Sequence, residues 1–350
     1  METMELQNQE LLETYSYELP SELIAQEPVD PRDHAQMLVL NRQNQTMEDS
    51  VFFLLPKYLK KGDLLVRNNT KVFPARFFAQ KGTGGKVEVL LMEEWEPGLW
   101  NALLKKRGKP PQEIIIHWQE DEYKIKVVGK EGHIYLLQFP DSLNMAQFLE
   151  SKGYMPLPPY IKRDYKNLSS GKDRKDYQTI FAKHTGAYAA PTAGLHFTER
   201  TFQELQKKGV SIAEVTLHVG LGTFLPIQSK YIEDHKMHKE YYSIPQETLE
   251  SLQTTKEKGG RILAVGTTTV RTLESYLRTQ KKEGWTDLFI YPPQKIHSVD
   301  MLLTNFHLPK STLLLLVSAF AGWPLIRKAY QHAISKKYRF YSYGDCMLIQ

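Results

Sequence analysis

Residues 177–226, YQTIFAKHTGAYAAPTAGLHFTERTFQELQKKGVSIAEVTLHVGLGTFLP, decide how this chain is read. At their centre, Ala190-Pro191-Thr192-Ala193-Gly194-Leu195-His196-Phe197 is a turn of small residues that sets a hydroxyl and an imidazole beside bare backbone. Thr198 reads as a helix N-cap, with Glu199 in the first turn, where the dipole favours an acid. Phe202, Leu205 and Gln206 continue a short amphipathic helix, and Gly209 supplies a left-handed C-cap. Val210 to Val219 then mixes β-branched with polar residues as a strand does, and runs into Gly220-Leu221-Gly222-Thr223-Phe224. Loop, helix, strand and glycine turn put polar groups at the connections, where α/β proteins carry their sites. Taken singly, Gly220 and Gly222 also fit a plain strand end, and His196 or His218 a satisfied core histidine. The Gly220-x-Gly222 pair is not a dinucleotide fingerprint, because Phe224, Leu225 and Pro226 follow it instead of a helix start.

The same alternation continues toward the C-terminus. A helix over Ser243–Lys258 ends at Gly259-Gly260, and the apolar run Arg261–Val265 turns at Gly266 into a helix beginning Thr267-Thr268-Thr269. Free N–H groups at that helix start, with threonine hydroxyls added, form a natural anion seat, although the lysine and spacing of a P-loop are missing. Asp287–Tyr291 is expected as a strand. Leu302–Pro309 is a strand with a polar exit at Asn305 and His307, followed by an apolar helix capped by Ser311 or Thr312.

Toward the N-terminus the texture differs. Asp63–Arg67, Ala75–Ala79, Lys86–Leu91, Ile114–Ile116, Tyr123–Val128 and His133–Phe139 are short strand candidates separated by glycine turns, which indicates a small β-barrel or sandwich. Upstream, Tyr15–Leu19 reads as a short strand, Arg32 and Asp33 as an adjacent surface ion pair, and Met37–Leu40 as a buried strand. Lys105–Pro111 is a basic hairpin, and Tyr160–Tyr177 interleaves Arg163, Lys166, Arg174 and other charges with tyrosine, a pattern that suits a nucleic-acid backbone. The expected architecture is α/β: a mostly parallel sheet covered by helices, residues 1–62 and 142–350, with a small β-barrel domain inserted at 63–141.

Composition narrows the function classes. With 350 residues, 41% hydrophobic and 24% charged, the chain can hold two domains of a soluble globular protein. The single cysteine, Cys346, excludes an internal disulfide framework and a cysteine-based zinc site, and fits a reducing cytoplasm. The first fifteen residues are acidic and polar, unlike a signal peptide, and no apolar run approaches a membrane span. A net charge of +5 permits an anionic partner. Three classes fit: an enzyme acting on a nucleic acid, an RNA-binding module, and a metal-dependent hydrolase built on His235 and His238 with His196, His218 and His307. No carboxylate sits in a recognised metal pattern. A pure binding module has no use for so many hydroxyl and small residues at strand ends.

AAPTAGLHFTE, VTLHVGLGTFLPI, HKMHKEYY, AVGTTTVRTLES, TDLFIYPPQKI, LLTNFHLPKSTLLLLVSAFAG and YRFYSYGDCMLI, with GDLLVRNNTKVFPARFFAQKGTGGKVEVLL and MPLPPYIKRDY, resemble the S-adenosylmethionine:tRNA ribosyltransferase-isomerase family. The resemblance runs from about Tyr15 to Ile349. It implies transfer and isomerisation of the ribosyl part of S-adenosylmethionine onto the aminomethyl group of preQ1 in the tRNA anticodon loop, with adenine and methionine released. S-adenosylmethionine is then a co-substrate, with no permanently bound cofactor and no metal, and the enzyme is expected to be a cytoplasmic monomer without membrane attachment. Placing residue chemistry on those motifs makes His196 and His218 the first acid–base candidates, with His307 third. Thr192, Gly194, Gly220, Gly222, Thr267, Thr268 and Asn305 become the substrate-binding candidates. Arg76, Arg163, Lys166, Arg174 and Arg271 become the RNA-phosphate candidates.

Overall fold

Apolar runs that do not alternate, such as Met37-Leu38-Val39-Leu40 and Ile262-Leu263-Ala264-Val265, are the mark of strands buried on both faces. The computed structural model, which describes residues 10–164, 170–220, 222 and 227–350, places them in such strands. In chain order the strands are β1 (Gln36–Asn41), β2 (Thr46–Val51), β3 (Leu64–Asn68), β4 (Thr70–Val72), β5 (Arg76–Lys81), β6 (Lys86–Glu96), β7 (Leu99–Lys106), β8 (Glu113–Trp118), β9 (Asp121–Glu131), β10 (Ile134–Gln138), β11 (His184–Ala187), β12 (Ser211–Leu217), β13 (Glu240–Ser243), β14 (Ile262–Val265), β15 (Glu283–Thr286), β16 (Met301–Asn305) and β17 (Cys346–Ile349). The helices are α1 (Met145–Lys152), α2 (Ser170–Asp176), α3 (Glu199–Lys207), α4 (Gln246–Glu257), α5 (Thr267–Thr279), α6 (Thr312–Ala321) and α7 (Trp323–Ser335).

Two compact units result. One comprises the described residues up to 71 together with 159–162 and 178–350; the other comprises 72–158 and the described part of 163–177. In the first, nine strands form a sheet in the order β15-β13-β12-β3-β14-β16-β17-β1-β2. The block β12-β3-β14-β16 is parallel, as is the β17–β1 pair, while the outer pairs and β16–β17 are antiparallel. This is an α/β sheet with a parallel centre, covered by helices. Its period of two sorts side chains onto two faces. Leu38, Leu64, Val66, Ala264, Leu302 and Met347 pack with Val270 and Leu273 of α5, Leu314–Val317 of α6 and Ile326 and Tyr330 of α7. Met37, Val39, Leu65, Leu263, Leu303 and Leu348 pack with Phe52, Leu55, Phe197, Phe202 and Leu205. Burying a large apolar side chain contributes roughly 1.5–3 kcal/mol, against a backbone ordering cost of roughly 1–2 kcal/mol per residue. A four-residue strand such as β14, buried at every position, is therefore favoured by its packing alone.

In the second unit β5 to β10 close an antiparallel barrel, ordered β10-β7-β6-β5-β8-β9. Alternate residues, among them Phe77, Val87, Val89, Ile114, Ile116 and Leu137, fill its interior. Phe148 of α1 packs edge-on against Phe77 at 5.2 Å and Trp118 at 5.9 Å between ring centroids.

Several elements differ from their sequence reading. Leu64–Asn68, expected among the barrel strands, is a central strand of the sheet, hydrogen-bonded to β12 and β14 on either side. The barrel instead gains β7, whose Leu99–Lys106 pairs with both β6 and β10. The strand expected at Asp287–Tyr291 lies one segment earlier, at Glu283–Thr286, where it pairs with β13; Ile290 is buried in the core without joining the ladder. Tyr15, expected in a strand, ends a 3-10 turn over Leu12–Tyr15. Arg32 and Asp33 do not pair with each other: Asp33 is buried and accepts from the Thr198 hydroxyl at 2.8 Å and Arg200 at 2.9 Å, while Arg32 donates to the Gln178 carbonyl.

Candidate active site

Parallel strands end with their carbonyls on one side, and the connections that leave them carry the polar groups. Here β12 runs out through His218 and Val219, β14 through Gly266, and β16 through Thr304–His307. A cleft lies at these ends, lined by Ala189–Ala193, Val219, Gly266, Thr267, Thr268, Arg271, Thr304–Leu308, Ser311 and Leu313, with Tyr160, Tyr341 and Ser342 closing one side. The Tyr160 and Tyr341 rings stand 4.7 Å apart, and the Tyr160 hydroxyl is 2.7 Å from Ser342 Oγ. Burial pushes the Tyr160 phenol up from its ordinary value, so it stays protonated.

Gly266 holds the turn into α5 at φ +86°, a conformation that a side chain would strain. Its N–H is bonded to the Leu303 carbonyl at 2.8 Å, fixing β14 to β16 at the cleft floor. No side chain caps α5, so the first N–H groups of the helix face the cleft with the positive end of its dipole. Thr269 and Thr272 bond back to the carbonyls one turn earlier, whereas Thr268 Oγ1 accepts from Asn68 Nδ2 at 3.2 Å. Asn68 is a clamp: the same Nδ2 donates to the Leu217 carbonyl and its Oδ1 accepts from the Leu217 and Thr70 N–H groups.

Behind the cleft wall lies a buried ion pair. Arg271, 4% exposed, donates through Nη1 to Glu240 Oε2 and through Nε to the Leu288 carbonyl. Glu240 Oε1 accepts the Gly220 N–H at 2.7 Å, so one carboxylate holds both the arginine and the start of the glycine turn. Breaking such a pair costs about 3–5 kcal/mol, because the remaining charge is stranded.

The three histidines separate. His307 lines the cleft, with Nε2 2.7 Å from the Thr304 hydroxyl, and its backbone is gripped by the hydroxyls of Tyr330 and Tyr17. Burial pushes its pKa down to about 3, so the ring is neutral at pH 7. His196 is buried against Phe52 beside a small neighbouring cavity, with Nε2 3.4 Å from Asn305 Nδ2. Burial, aided by the positive charges of Arg339 and Arg32, brings it down to about 4. It meets the cleft through Asn305, whose Nδ2 also donates to the Tyr341 carbonyl at 3.1 Å. His218 is outside the cleft lining: it holds the Thr70 hydroxyl through Nδ1 at 2.8 Å and stacks on Tyr241. Its pKa is lowered by burial and then by His184.

Of the small residues, Thr192, Thr267, Thr268 and Asn305 line the cleft. Gly194 is a packing glycine, since a Cβ there would come within 2.7 Å of the Phe181 ring. At Gly222 a Cβ would meet His238 at 2.4 Å. Leu221 and Thr223–Pro226 of the glycine turn lie outside the described residues, as does Lys166. The four remaining arginine candidates each hold a carboxylate: Arg76 with Glu88, Arg163 with Asp173, Arg174 with Glu150 and Arg271 with Glu240. On the barrel, Lys105, Arg107 and Lys109 are exposed, and Lys81 Nζ ties the backbone of their hairpin at Arg107 and Lys109. His235 packs edge-on against Phe289, and among the described residues no group of three metal-ligating side chains occurs.

Sequence reasoning missed Glu240, Asn68 and the Tyr160–Tyr341 wall. Glu240 had a signal, an acid at the head of a strand whose alternate residues are buried; Asn68 had only a local one, its bond to the Thr70 N–H, because its other partners lie 149 to 200 residues away.

A parallel-centred α/β sheet with an inserted barrel, and a cleft of hydroxyls and histidine at its strand ends, defines a substrate-binding enzyme scaffold. The chain belongs to the family described as "Queuosine biosynthesis protein", which matches residues 12–349. A Thermotoga maritima protein named S-adenosylmethionine:tRNA ribosyltransferase-isomerase is 48% identical over 340 residues, covering 96% of this chain and 98% of its own. The Aquifex aeolicus protein of the same name is 46% identical over 349 residues, covering 97% and 99%. The crystal structure of S-adenosylmethionine tRNA ribosyltransferase from Thermotoga maritima superposes with a TM-score of 0.55 at 40% identity, covering 96% of this chain and 99% of that one.

Proposed function

We propose that this protein transfers and isomerises the ribosyl moiety of S-adenosylmethionine onto the aminomethyl group of preQ1 in the tRNA anticodon loop. The product is epoxyqueuosine-tRNA, with adenine and methionine released. The observation that carries this reading is a likeness that runs the length of the chain to relatives bearing that enzyme's name. The cleft suits it. The reaction removes a proton beside a sulfonium and sends off adenine, so it needs a base and an acid in a site that keeps water out. We assign the role of base to His307, the one of the three candidate histidines that lines the cleft, with substrate binding required to raise the low basicity that burial imposes on it. His196 positions Asn305, and His218 braces the end of β12 through Thr70. Thr192 and Thr267 offer free rims for hydroxyl contacts, and the tyrosine wall offers faces for a nucleobase.

For the tRNA we infer contacts on the barrel-containing unit, from Arg76, Arg163, Lys166 and Arg174 together with the exposed hairpin cations Lys105, Arg107 and Lys109. The inserted domain is taken as the expected 63–141 span less residues 63–71, which stay with the sheet, and residues 142–158 and the described part of 163–177 accompany it. The enzyme works as a cytoplasmic monomer, where its tRNA is found. S-adenosylmethionine serves as co-substrate.

The test follows the donor's atoms. Protein is incubated with preQ1-containing tRNA and S-adenosylmethionine labelled separately in methyl and ribose. Ribose label in the tRNA, with free adenine and methionine, is expected. Methyl label in the tRNA with S-adenosylhomocysteine released would overturn the reading.

A further inference from the structure

Arg271 sits one turn inside α5, and side chains on a helix lean toward its N-terminus. Arg271 lines the cleft together with Thr267 and Thr268, and its guanidinium is anchored at Glu240 and the Leu288 carbonyl at the edge of that lining. Nη1 is taken by Glu240 and Nε by the Leu288 carbonyl, but Nη2 is buried with no partner among the described residues. A buried guanidinium nitrogen is costly to leave unpaired. It shares this corner with the uncapped N–H groups of a 13-residue helix. Both features favour the same guest, an oxyanion small enough to enter an enclosed cleft. Asn305 Oδ1, buried and likewise unpartnered, offers an acceptor on the facing strand end.

We propose that Arg271 Nη2 and the N-terminus of α5 seat the carboxylate of the donor's methionine portion, and that Glu240 is the positioning residue that aims the guanidinium. The proposal rests on S-adenosylmethionine being the donor. It orients that molecule: the amino-acid end lies at α5, its ammonium can donate to an acceptor such as Asn305 Oδ1, and the nucleoside extends toward the tyrosine wall. Charge supports a carboxylate. The Arg271–Glu240 pair is internally neutral, so the helix dipole and the spare guanidinium donors are what an anion adds to. Glu240 also holds the Gly220 N–H, so the carboxylate seat and the glycine turn are set by one side chain.

The test compares S-adenosylmethionine with its decarboxylated counterpart, which keeps the sulfonium and nucleoside, in titration calorimetry without tRNA. Wild-type protein is expected to prefer the carboxylate-bearing ligand by roughly a hundredfold or more, as sites built around a polar group do. In the charge-balanced variant Glu240→Gln/Arg271→Met the preference should fall to within about threefold, because the seat is gone and no charge is stranded. Thr267→Val, a milder change that leaves the pair intact, should leave most of the preference. Equal binding of the two ligands by the wild type overturns the proposal. So does a folded double variant that keeps its preference but loses tRNA affinity, which would assign the seat to an RNA phosphate. If the labelling experiment fails while the preference stands, the seat is right and the reaction is wrong.

Discussion

In β14 of the sheet every residue from Ile262 to Val265 is buried, whereas in the eleven residues of barrel strand β9 only Ile125 is. The two regions dispose of polar side chains in opposite ways. A sheet covered on both faces has little room for charge along its central strands, where Arg67 of β3 and Glu214 of β12 are held as a pair, so most polar groups collect where the strands end. A small barrel buries only its interior face, so charge is spread along most of its strands, β10 excepted. A polar residue at a sheet end is therefore informative, and Asn68, Glu240, Thr267, Thr268 and His307 all belong to the cleft or its support. A lysine on the barrel carries far less information by itself. His117 and His133 of the barrel are exposed, whereas His196 and His307 of the sheet are buried and held neutral.

That contrast can be broken most sharply at His307. His307→Ala should lower single-turnover ribosyl transfer by roughly a hundredfold to ten-thousandfold with the fold intact, whereas His133→Ala should leave it unchanged. Wild-type turnover in a folded His307→Ala protein would return that histidine to a packing role. The next effect is on stability. Glu240→Ala strands Arg271 in the core and should cost about 3–5 kcal/mol in urea unfolding, while Glu88→Ala, beside the more exposed Arg76, should cost less than about 1–2 kcal/mol.

Acid comes third. His196 has its folded pKa lowered to about 4, below the ordinary value near 6.5 of an unfolded chain. Its contribution is complete above pH 6.5 and is lost as pH falls from there toward 4, because the unfolded chain takes up the proton first. The loss is on the order of 3 kcal/mol, and the urea midpoint should drop between pH 7 and 4.5. His196→Gln should remove roughly half of that drop, because His307, depressed by burial in the same direction, carries the rest. A midpoint that does not move in the wild type would mean that His196 is solvated. The smallest effect belongs to the barrel. Replacing Lys105, Arg107 and Lys109 by Gln should weaken tRNA binding by roughly tenfold at low salt and reduce the salt slope by about the number of phosphates released. S-adenosylmethionine binding should not change.

The same contrast governs what could be read from the residues alone. Strands buried on both faces announced themselves as continuous apolar runs, so β1 and β14 were legible to within a residue, and β16 at its start, although it ends at Asn305 and not at Pro309. Thr198, Gly209 and Gly266 marked helix ends correctly because capping is local. What escaped depends on partners far along the chain. β3 was grouped with its neighbours in sequence, yet its ladder partners start at Ser211 and Ile262. Asp287–Tyr291 looked more strand-like than Glu283–Thr286, but an edge strand needs backbone donors facing β13 more than it needs apolar side chains. At the site, the motifs named His307, Asn305 and the threonines. Packing separated His218 from them and showed that Gly194 serves Phe181. It also gave Arg76, Arg163, Arg174 and Arg271 carboxylate partners that charge counting could not see.

The place of β17 has a bearing on how the chain is assembled. Residues 346–349 lie between β1 and β16, parallel to one and antiparallel to the other, and the sheet order gives β1 no other link to the parallel block. The β1–β2 hairpin thus waits some three hundred residues for the strand that joins it to the rest. During that interval the apolar faces of Met37–Leu40 have no sheet to join. Closing so long a loop is slow, although its entropy grows only with the logarithm of length. Nascent chains of this protein should therefore be clients for holding chaperones until β17 has been made, and stops placed shortly before Cys346 should be more damaging than the few residues they remove suggest.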